Sequence, residues 1–351
     1  MNRFVYAVLA SSVLSLAACG GGGSSATTQD HSSKSPSNSA DAMESEVSGK
    51  IQFYTSQPDS DAAELVKEFN KVYPDVEVDV FRSGTEEVMS KIAAEHKAGD
   101  IQADVLLAAD AVTFETLKED GLLLSYESHE SNNIPKEFVD QDHMYTGTKV
   151  MATVLAVNTN EVDQMPASWN VLTEKDAKGK ALMPSPLYSG AAAYNTGVFS
   201  RQEHFGWKFF EKLHDNDMTI VQGNGAVLQA VAGGEKAYGM VVDYLVARAK
   251  QEGSPVDIVY PEEGVPVITE PIGIMKNTDN PDAAKAFVDF VLSEKGQALS
   301  AELGYAPIRE GVKAPEGLKS ISDLKVISHD VKELLKTREE DKQTFSEILG
   351  E

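Results

Sequence analysis

The sequence predicts an α/β protein of two lobes, and three observations support this fold class. From Lys50 onward, short apolar segments alternate with amphipathic ones, as expected of strand and helix units that build a sheet covered by helices on both faces. A long apolar segment near Val150, "TKVMATVLAVNTN", interrupts this alternation, which then restarts. A second long extended segment lies near Ile268, so we expect these two segments to form crossover connections between two lobes.

The size and charge of the chain narrow the possible functions. Its 351 residues, of which 42% are hydrophobic, are enough to build one large or two medium folded units. The formal net charge of -24 comes from 55 acidic and 31 basic residues, and the basic residues do not cluster. Nucleic acids bind clustered lysine and arginine, so no nucleic-acid partner is expected. The acidity favours solubility, and we expect a monomer.

The first 18 residues have the layout of a secretory signal peptide. Arg3 precedes an apolar run, and the residues from Leu16 to Cys19 resemble the lipobox of bacterial lipoproteins, in which Cys19 becomes the lipid-bearing first residue. We therefore expect an exported protein, anchored to a membrane by acyl chains on Cys19 and facing the periplasm or the cell exterior. Cys19 is the only cysteine in the chain, so no internal disulfide can form.

The rest of the chain divides into a tether and two lobes. Residues 19–49 are rich in Gly, Ser, Asn and Asp and cannot bury enough apolar surface to fold, so we expect a flexible tether. We expect a first lobe over residues 50–148 and a second lobe over residues 149–267. Residues 268–351 are expected to return to the first lobe and to end in C-terminal helices.

The first lobe is expected to contain three pairs of a strand and a helix. The strand "KIQFYTS" precedes the amphipathic helix "SDAAELVKEFNKVY", capped by one of the polar residues 59–61. The alternating valines of "DVEVDVF" indicate a second strand. Ser83 and Glu86 have the spacing of a capping box at the start of the next helix, which Gly99 ends. The strand "ADVLLAAD" and the helix "AVTFETLKEDGLL" complete the lobe.

The second lobe repeats this alternation. The strand "KALMPSP" leads into an uncharged segment, "SPLYSGAAAYNTG", at residues 185–197. The helices "GWKFFEKLHDN", "GAVLQAVAGG" and "LVARAKQEG" follow, with the strand "AYGMVVDY" before the last of them. After the second crossover, Pro281 starts a strongly amphipathic helix, and charged helical segments extend to Glu351.

Candidate ligand contacts lie at the turns where strands meet helices. Ligands of open α/β sheets bind there because each helix start presents unpaired amide groups and the positive end of its dipole. Two of these turns, residues 83–85 and residues 189–191, are rich in small residues, which let backbone amides approach an oxyanion closely. The alternative is that Ser83 and Ser189 only cap their helices. Further candidates in such turns are Ser56, Asp110, Asp243, Tyr244 and residues 223–225.

Three tyrosines have competing interpretations. Tyr188, Tyr194 and Tyr244 either pack as half-buried core residues, line a cleft as hydrogen-bond donors, or bind a hard trivalent metal ion as phenolates beside carboxylates. The carboxylates available for such a metal site are Asp110, Asp243 and Glu270. We expect Tyr188 to lie in a cleft wall, whereas Tyr194, a turn and a half into its helix, is expected to pack.

Motifs of enzymes and cofactor sites are missing from the sequence. The segment "GNGAVLQAVAGG" has Leu228 where a dinucleotide-binding turn needs its third glycine, and the seven histidines form no HExxH or HxxxH pair. No GxSxG motif occurs, so a hydrolase would lack its nucleophile. We therefore expect no enzymatic activity, no cofactor and no zinc site. An adhesin would show repeats or β-rich modules, which the alternation of strands and helices contradicts.

Several segments together resemble the extracellular solute-binding proteins of ABC importers. They are the lipobox, the tether, "GKIQFYTSQPDSDAAELVKEFNKVYPDVEVDVFRSGTEEV", "QADVLLAADAVTFETLKEDGLL", "MPSPLYSGAAAYNTGV" and "YGMVVDY", and the resemblance runs from about Gly49 to Ile308. It is greatest with the branch labelled ferric-iron binding, which also contains binders of phosphonates and sugar phosphates. The resemblance implies a type II periplasmic-binding-protein fold, whose two lobes close by hinge motion on a ligand. It also implies a small molecule or ion as ligand and ABC permease subunits as partners.

The resemblance leaves two classes of ligand to consider. Ferric-binding members typically carry a histidine where this chain has Pro58, and two adjacent tyrosines where it has only Tyr244. The small, hydroxyl-bearing turns instead suit a phosphate or phosphonate head group. Asp243 and Glu270 would then receive an amine or sugar hydroxyls, although Glu270 is equally a candidate for a solvated hinge residue.

We therefore predict an importer protein that captures a small solute bearing an oxyanion, with ferric iron as the alternative. The predicted ligand-binding residues are Ser56, Ser83, Gly84, Thr85, Asp110, Tyr188, Ser189, Gly190, Ala191, Asp243, Tyr244 and Glu270. For ferric iron, held alone or with an anion or chelator, the predicted ligands are Tyr188, Tyr244 and Asp243.

Overall fold

The computed structural model describes residues 47–350. The predicted signal peptide, the lipid attachment site at Cys19 and nearly all of the tether lie outside the described residues. Between residues 47 and 350, no helix has the length and apolar character needed to cross a membrane.

The described residues contain strands and helices in the alternation that the sequence predicts. The strands are β1 (Gly49–Thr55), β2 (Val76–Arg82), β3 (Val105–Leu107), β4 (Leu123–Leu124), β5 (Thr146–Asn158), β6 (Ala181–Pro184), β7 (Thr219–Val221), β8 (Tyr238–Val242), β9 (Val256–Val259), β10 (Val265–Met275), β11 (Ala306–Pro307) and β12 (Val326–Ile327). The helices are α1 (Asp59–Asn70), α2 (Thr85–Ala98), α3 (Ala111–Glu119), α4 (Gly190–Ser200), α5 (Gly206–Asp215), α6 (Asn224–Ala232), α7 (Asp243–Gln251), α8 (Pro281–Leu292), α9 (Glu294–Glu302) and α10 (Val331–Leu349).

The strands pair in the order β2-β1-β3-β10-β5-β8-β6-β7, with the shorter strands β4, β9, β11 and β12 added beside β5 and β10. The outer strands run parallel to each other, whereas β10 and β5 are antiparallel and pair Ile268 with Met151 in the middle of the sheet. These are the two long extended segments of the sequence, except that the second is split into β9 and β10. The predicted lobe boundaries, 148/149 and 267/268, both fall inside this central pair of strands.

We call β1 to β3 with α1, α2, α3, α8 and α9 the first half of the molecule, and β6 to β8 with α4 to α7 the second half. In the first half, one face of the sheet packs against a cluster that includes Phe53, Phe69 and Phe287, and the other face packs against Val88 and Phe114. In the second half, one large cluster contains Trp169, Phe199 and Phe210. Burying each of these side chains contributes about 1.5 to 3 kcal/mol, so both halves have substantial cores.

The ends of several helices test the predicted caps. Gly99 ends α2 with φ 83°, and Pro281 stands at the first turn of α8, which confirms both predictions. The prediction of a capping box by Ser83 and Glu86 is wrong. Gly84 occupies the cap position, and the Ser83 hydroxyl donates instead to the Glu87 carboxylate. The Ser83 amide bonds to the Thr55 carbonyl of the neighbouring strand β1 at 3.2 Å, which ties this residue to the sheet two positions before the helix begins.

The C-terminal helix α10 packs against elements of both halves, namely α3, α4 and α5. On the side of the first half, the Arg338 guanidinium donates to Asp110 at 3.0 Å and to Glu86 at 2.7 Å. On the side of the second half, the Phe345 ring contacts the Phe210 ring with centroids 5.8 Å apart. Polar contacts therefore join α10 to the first half, whereas both the apolar contact and an ion pair, between Arg201 at the end of α4 and Asp341 at 2.9 Å, join it to the second.

Candidate functional site

A cavity of about 480 Å³ lies between the two halves of the molecule. Five helices, α1, α2, α4, α6 and α7, begin at its wall, because each follows a strand whose carboxyl end points toward the gap. The first amide groups of a helix have no partner inside the helix, so such a wall is rich in hydrogen-bond donors. We call this cavity the cleft.

The cleft brings together most of the ligand contacts that the sequence predicts. Those that line it are Ser56, Gly84, Thr85, Tyr188, Ser189, Gly190, Ala191, Tyr244 and Glu270. The turn at residues 223–225 and the side chains of Gln57, Arg82 and Arg248 also line it. Three predicted contacts, Ser83, Asp110 and Asp243, do not.

Asp110 faces away from the cleft. Its carboxylate accepts a hydrogen bond from the Thr113 amide at 3.0 Å, which caps α3, and it pairs with Arg338 at 3.0 Å. The side chain is 1% exposed, so capping and ion pairing satisfy it entirely inside the protein. The sequence could not show this pairing, because Arg338 lies 228 positions further along the chain.

Asp243 is also turned inward, at the first residue of α7. Its Oδ1 accepts from the amides of Ala152 at 3.1 Å and Tyr244 at 2.9 Å, and its Oδ2 accepts from the Tyr260 hydroxyl at 3.3 Å. Burial raises the pKa of the Asp243 carboxyl to about 7, although the three hydrogen bonds oppose this shift. The side chain therefore joins α7 to the crossover strand β5 and to Tyr260, and it does not line the cleft.

The two glycine-containing turns touch each other across the cleft. The Glu86 amide of the first half donates to the Tyr188 carbonyl of the second half at 3.2 Å. A Cβ atom on Gly84 would lie 2.5 Å from the Tyr188 carbonyl oxygen, and one on Gly190 would lie 2.4 Å from the Ala109 carbonyl oxygen. Glycine is therefore required at both positions for the halves to meet, a reason that the sequence alone did not suggest.

The starts of α4 and α6 carry no acidic residue in their first turns. Ser189 caps α4 through its hydroxyl, which accepts from the Ala192 amide at 3.3 Å, and the same residue lines the cleft. Asn224, at the start of α6, donates to the same hydroxyl at 3.3 Å and accepts from the Val242 amide at 3.3 Å. These bonds hold the two helix starts side by side, with their positive dipole ends at the cleft.

Arg82, which the sequence analysis missed, ends β2 at the edge of the cleft. Its Nε donates to the Gln57 carbonyl at 2.7 Å, and its Nη1 lies 3.5 Å from the Tyr188 hydroxyl. Among residues 47–350 no carboxylate pairs with it, whereas Arg248, the other arginine of the cleft wall, is held by Asp61 at 3.0 Å. A basic residue just before a glycine turn, as in "RSGT", is the signal that could have identified Arg82.

Glu270 and Lys149 form a buried ion pair where β10 and β5 cross. Their charged atoms are 2.6 Å apart, and Glu270 is only 4% exposed. The Gln57 amide also donates to Glu270, at 3.3 Å. Glu270 thus lines the cleft as a paired carboxylate, and the alternative of a solvated hinge residue is wrong.

The three tyrosines differ in their surroundings. Tyr194 packs in the core of the second half, as predicted, and burial raises its pKa to about 12. The Tyr188 ring lies on the cleft wall between Gly84 and Gly223. Tyr244 is 5% exposed, its hydroxyl lies 3.3 Å from that of Tyr305, and burial raises its pKa.

Within residues 47–350, no group of three or more His, Cys, Asp or Glu side chains is arranged to hold a metal ion.

Comparison with known proteins identifies the family of the chain. The profile of a family described as "Bacterial extracellular solute-binding protein" matches residues 64–325. A probable ABC transporter periplasmic-binding protein of Sinorhizobium fredii is 26% identical over 244 residues, which cover 66% of this chain and 67% of that protein. Iron uptake protein A1 of Synechocystis sp. is 24% identical over 296 residues, which cover 79% of this chain and 80% of that protein.

A solved structure extends the similarity to three dimensions. The periplasmic binding protein AfuA of Actinobacillus pleuropneumoniae, with fructose 6-phosphate bound, matches this chain with a TM-score of 0.80 at 25% identity. The match covers 86% of this chain and 99% of that one. Together with the strand order, it confirms the type II periplasmic-binding-protein fold.

Proposed function

The chain belongs to the bacterial extracellular solute-binding proteins and is the solute-binding component of an ABC importer, and we propose that its solute carries a phosphate or phosphonate group. Membership of this family implies export, a small ligand and an ABC permease as partner. Its members are solute-binding proteins of transport systems, which supports the prediction that the chain has no enzymatic activity.

The observation that carries the proposal is an arginine without a carboxylate partner among the described residues, beside two helices that have no acidic residue in their first turn. Arg82 has no carboxylate partner among the described residues, and the adjoining starts of α4 and α6 lack acidic first turns. An oxyanion placed there would meet a guanidinium, two positive dipole ends and open amides at Gly190, Ala191 and Gly225. An apolar or cationic solute would leave all of these donors unpaired, which is unfavourable in a partly enclosed site.

The number of available donors is sufficient for tight binding. Each hydrogen bond to a charged group contributes about 1.5 to 3 kcal/mol, and micromolar affinity requires about 8 kcal/mol. Four such bonds, from the Arg82 guanidinium and the amides at the starts of α4 and α6, would contribute about 6 to 12 kcal/mol, a range that includes this value. Thr85 and Ser56 add hydroxyl groups on the wall of the first half.

A thermal-shift panel tests the proposal. It compares fructose 6-phosphate, 2-aminoethylphosphonate and inorganic phosphate with fructose and ethanolamine, which lack the oxyanion. A ligand at 100 times its Kd stabilises the folded state by about 2.7 kcal/mol, which corresponds to a rise in Tm of about 5 °C or more. We expect at least one oxyanion compound to give this rise and neither control to do so. If no oxyanion compound raises the Tm, the proposal is wrong.

Ferric iron remains a second candidate because Tyr188 and Tyr244 line the same cleft and one relative is named an iron uptake protein. The third predicted iron ligand, Asp243, is turned away from the cleft, and burial raises the pKa of Tyr244, which disfavours its phenolate. An iron-tyrosinate complex absorbs visible light. If ferric citrate produces such a band that Tyr188→Phe removes, iron is the ligand, and a colourless protein excludes this phenolate site.

We further propose that the protein acts as a monomer anchored to the membrane through acyl chains on Cys19. The proposal is supported by the lipobox resemblance and by the lack of any other cysteine. Metabolic labelling with palmitate should mark the parent protein but not Cys19→Ala, and the variant should move from the membrane to the soluble fraction. Light scattering on the unlipidated protein should give the mass of one chain, whereas the mass of two chains would contradict the monomer.

A further inference from the structure

Gln57 has an unpaired acceptor atom at the wall of the cleft. The residue follows β1, lines the cleft and is 4% exposed. Its side-chain Oε1 has no hydrogen-bond partner among the described residues. An amide oxygen left unpaired in a buried position costs about 1 to 3 kcal/mol, so a partner for this atom is expected to come from outside the chain.

Neighbouring charges fix the orientation of the Gln57 amide. Its Nε2 donates to Glu270 at 3.3 Å, and Glu270 is itself held by Lys149 at 2.6 Å. If the amide were flipped, its oxygen would face the carboxylate of Glu270, and two acceptors would repel each other. The Oε1 atom must therefore point away from the ion pair, and there it is buried with its acceptor capacity unused by the described residues.

The same residue is joined to the proposed anion site. The backbone carbonyl of Gln57 accepts from Arg82 Nε at 2.7 Å, so Arg82, which lines the cleft, is fastened to Gln57, and its Nη1 lies 3.5 Å from the Tyr188 hydroxyl. Gln57 thus connects the free cation to the ion pair of Lys149 and Glu270. A solute whose oxyanion is held by Arg82 would carry its remaining groups close to Gln57.

We propose that Gln57 Oε1 accepts a hydrogen bond from a hydroxyl group of the solute and thereby selects hydroxylated phosphate esters over the bare oxyanion. This inference rests on the proposed function, because it assigns the part of the solute beyond its phosphate group. Gln57 was not among the residues that the sequence identified as ligand contacts.

The charges near Gln57 favour a hydroxyl over an ammonium group. Glu270 is neutralised by Lys149, and Asp61 is neutralised by Arg248, so neither carboxylate offers an uncompensated negative charge. Asp59 is exposed at the rim, where solvent and salt screen its charge. A neutral donor can pair with the amide oxygen without such a charge, whereas a buried ammonium group would need one.

The test measures the affinity of the parent protein and of Gln57→Met for three probes by isothermal titration calorimetry. Methionine is unbranched and of similar length, but it cannot accept a comparable hydrogen bond. We expect the variant to bind fructose 6-phosphate about 10-fold more weakly, while its affinity for inorganic phosphate changes less than about 2-fold. The matched control Gln343→Met, an exposed position on α10, should leave both affinities unchanged.

A third probe separates hydroxyl from ammonium recognition. We expect the affinity for 2-aminoethylphosphonate, which has no hydroxyl on its carbon chain, to change as little as the affinity for inorganic phosphate. A selective loss for the aminophosphonate would overturn the hydroxyl assignment. Equal losses for all three probes, or no loss for fructose 6-phosphate, would overturn the role of Gln57. If the parent protein binds none of the three, the proposed function itself fails.

Discussion

The helices that begin at the cleft fall into two groups that differ in the charge of their first turns. Helices α1, α2 and α7 carry acidic residues there, namely Asp59 and Asp61, Glu86 and Glu87, and Asp243. Helices α4 and α6, both in the second half, carry none. An acidic first turn offsets the positive end of the helix dipole, so only α4 and α6 present it undiminished to the cleft.

The difference shows that a helix start is not by itself an anion site. In the first group, partners within the protein already use three of the five carboxylates in ion pairs or backbone hydrogen bonds: Asp61 holds Arg248, Glu86 holds Arg338 and Lys342, and Asp243 holds backbone amides. In the second group, the amides remain available, and Arg82 supplies the charge. The cleft is therefore polarised, with the proposed anion site at α4, α6 and Arg82 and with hydrogen-bond acceptors at Gln57 and Glu270.

The largest effect is expected from placing a carboxylate at the start of α4. Ala191→Asp should abolish binding of fructose 6-phosphate, because two like charges about 4 Å apart repel by about 4 kcal/mol near a protein surface, which is about 1000-fold in Kd. Ala191→Asn is the matched control, since Asn has the same size and no charge. Calorimetry should show a much smaller loss for the Asn variant. Equal losses for both would mean that size, not charge, governs this position.

The second effect concerns the stability of the protein, which depends on the ion pairs of Arg338 with Glu86 and Asp110. Arg338→Gln removes a buried guanidinium and leaves Asp110 and part of Glu86 unpaired, which should lower the free energy of unfolding by about 3 kcal/mol. Lys336→Gln on the same helix is the control, because Lys336 is exposed and its ion pair is with the exposed Glu333. Urea denaturation should show a change below about 0.5 kcal/mol for this control. A loss of similar size in both variants would contradict the structural role of Arg338.

The third effect tests the free cation. Arg82→Gln should weaken binding of fructose 6-phosphate by about 100-fold, through the loss of charge-assisted hydrogen bonds. Arg82→Lys keeps the charge but not the planar pair of donors, so a loss of about 10-fold is expected. Titration calorimetry of both variants measures this order. If Arg82→Gln binds as tightly as the parent, the anion site does not include Arg82.

The smallest effect on binding is expected at α7. Asp243→Asn should change the Kd of fructose 6-phosphate by less than about 3-fold, because Asp243 lies outside the cleft lining. Its loss should change the free energy of binding by no more than one weak hydrogen bond, about 0.5 kcal/mol. A loss of 10-fold or more would show that Asp243 contacts the ligand after all.

The same variant should alter the pH dependence of stability. Burial raises the pKa of Asp243 from 3.8 to about 7, so between these pH values the folded state retains a proton that the unfolded state has released. The resulting stabilisation is present below pH 3.8 and is lost as the pH rises through 7. The free energy of unfolding of Asp243→Asn, relative to the parent, should therefore increase between pH 4 and pH 8. The exposed control Asp282→Asn should show no such trend.

Much of the fold could be predicted from the sequence, because strands and helices impose distinct spacings on apolar residues. The two crossover strands, the Gly99 stop and the Pro281 start follow from local patterns and are confirmed. The predicted cap of α2 was wrong by one residue, because a hydrogen bond from the Ser83 amide to Thr55 ties that serine to β1 and Gly84 takes the cap position. Local sequence cannot reveal such a bond.

The candidate site was less predictable, because the sequence shows which side chains are polar but not which are already paired. Asp110 and Asp243 have the residue type and position of ligand contacts, yet Arg338 and Tyr260 satisfy them from distant parts of the chain. Arg82 is the reverse case, since its importance lies in having no carboxylate partner among the described residues. Tyr194 was predictable because its depth along α4 is a local property.

The most direct test of the polarised cleft compares a phosphate ester with the same molecule without its phosphate. Isothermal titration calorimetry of the purified protein with fructose 6-phosphate and with fructose makes this comparison at equal pH and salt. We predict a Kd of about 1 μM or below for the ester and no measurable heat of binding for fructose. Equal binding of the two compounds would contradict the proposed anion site. So would a protein that binds ferric iron but does not bind the ester.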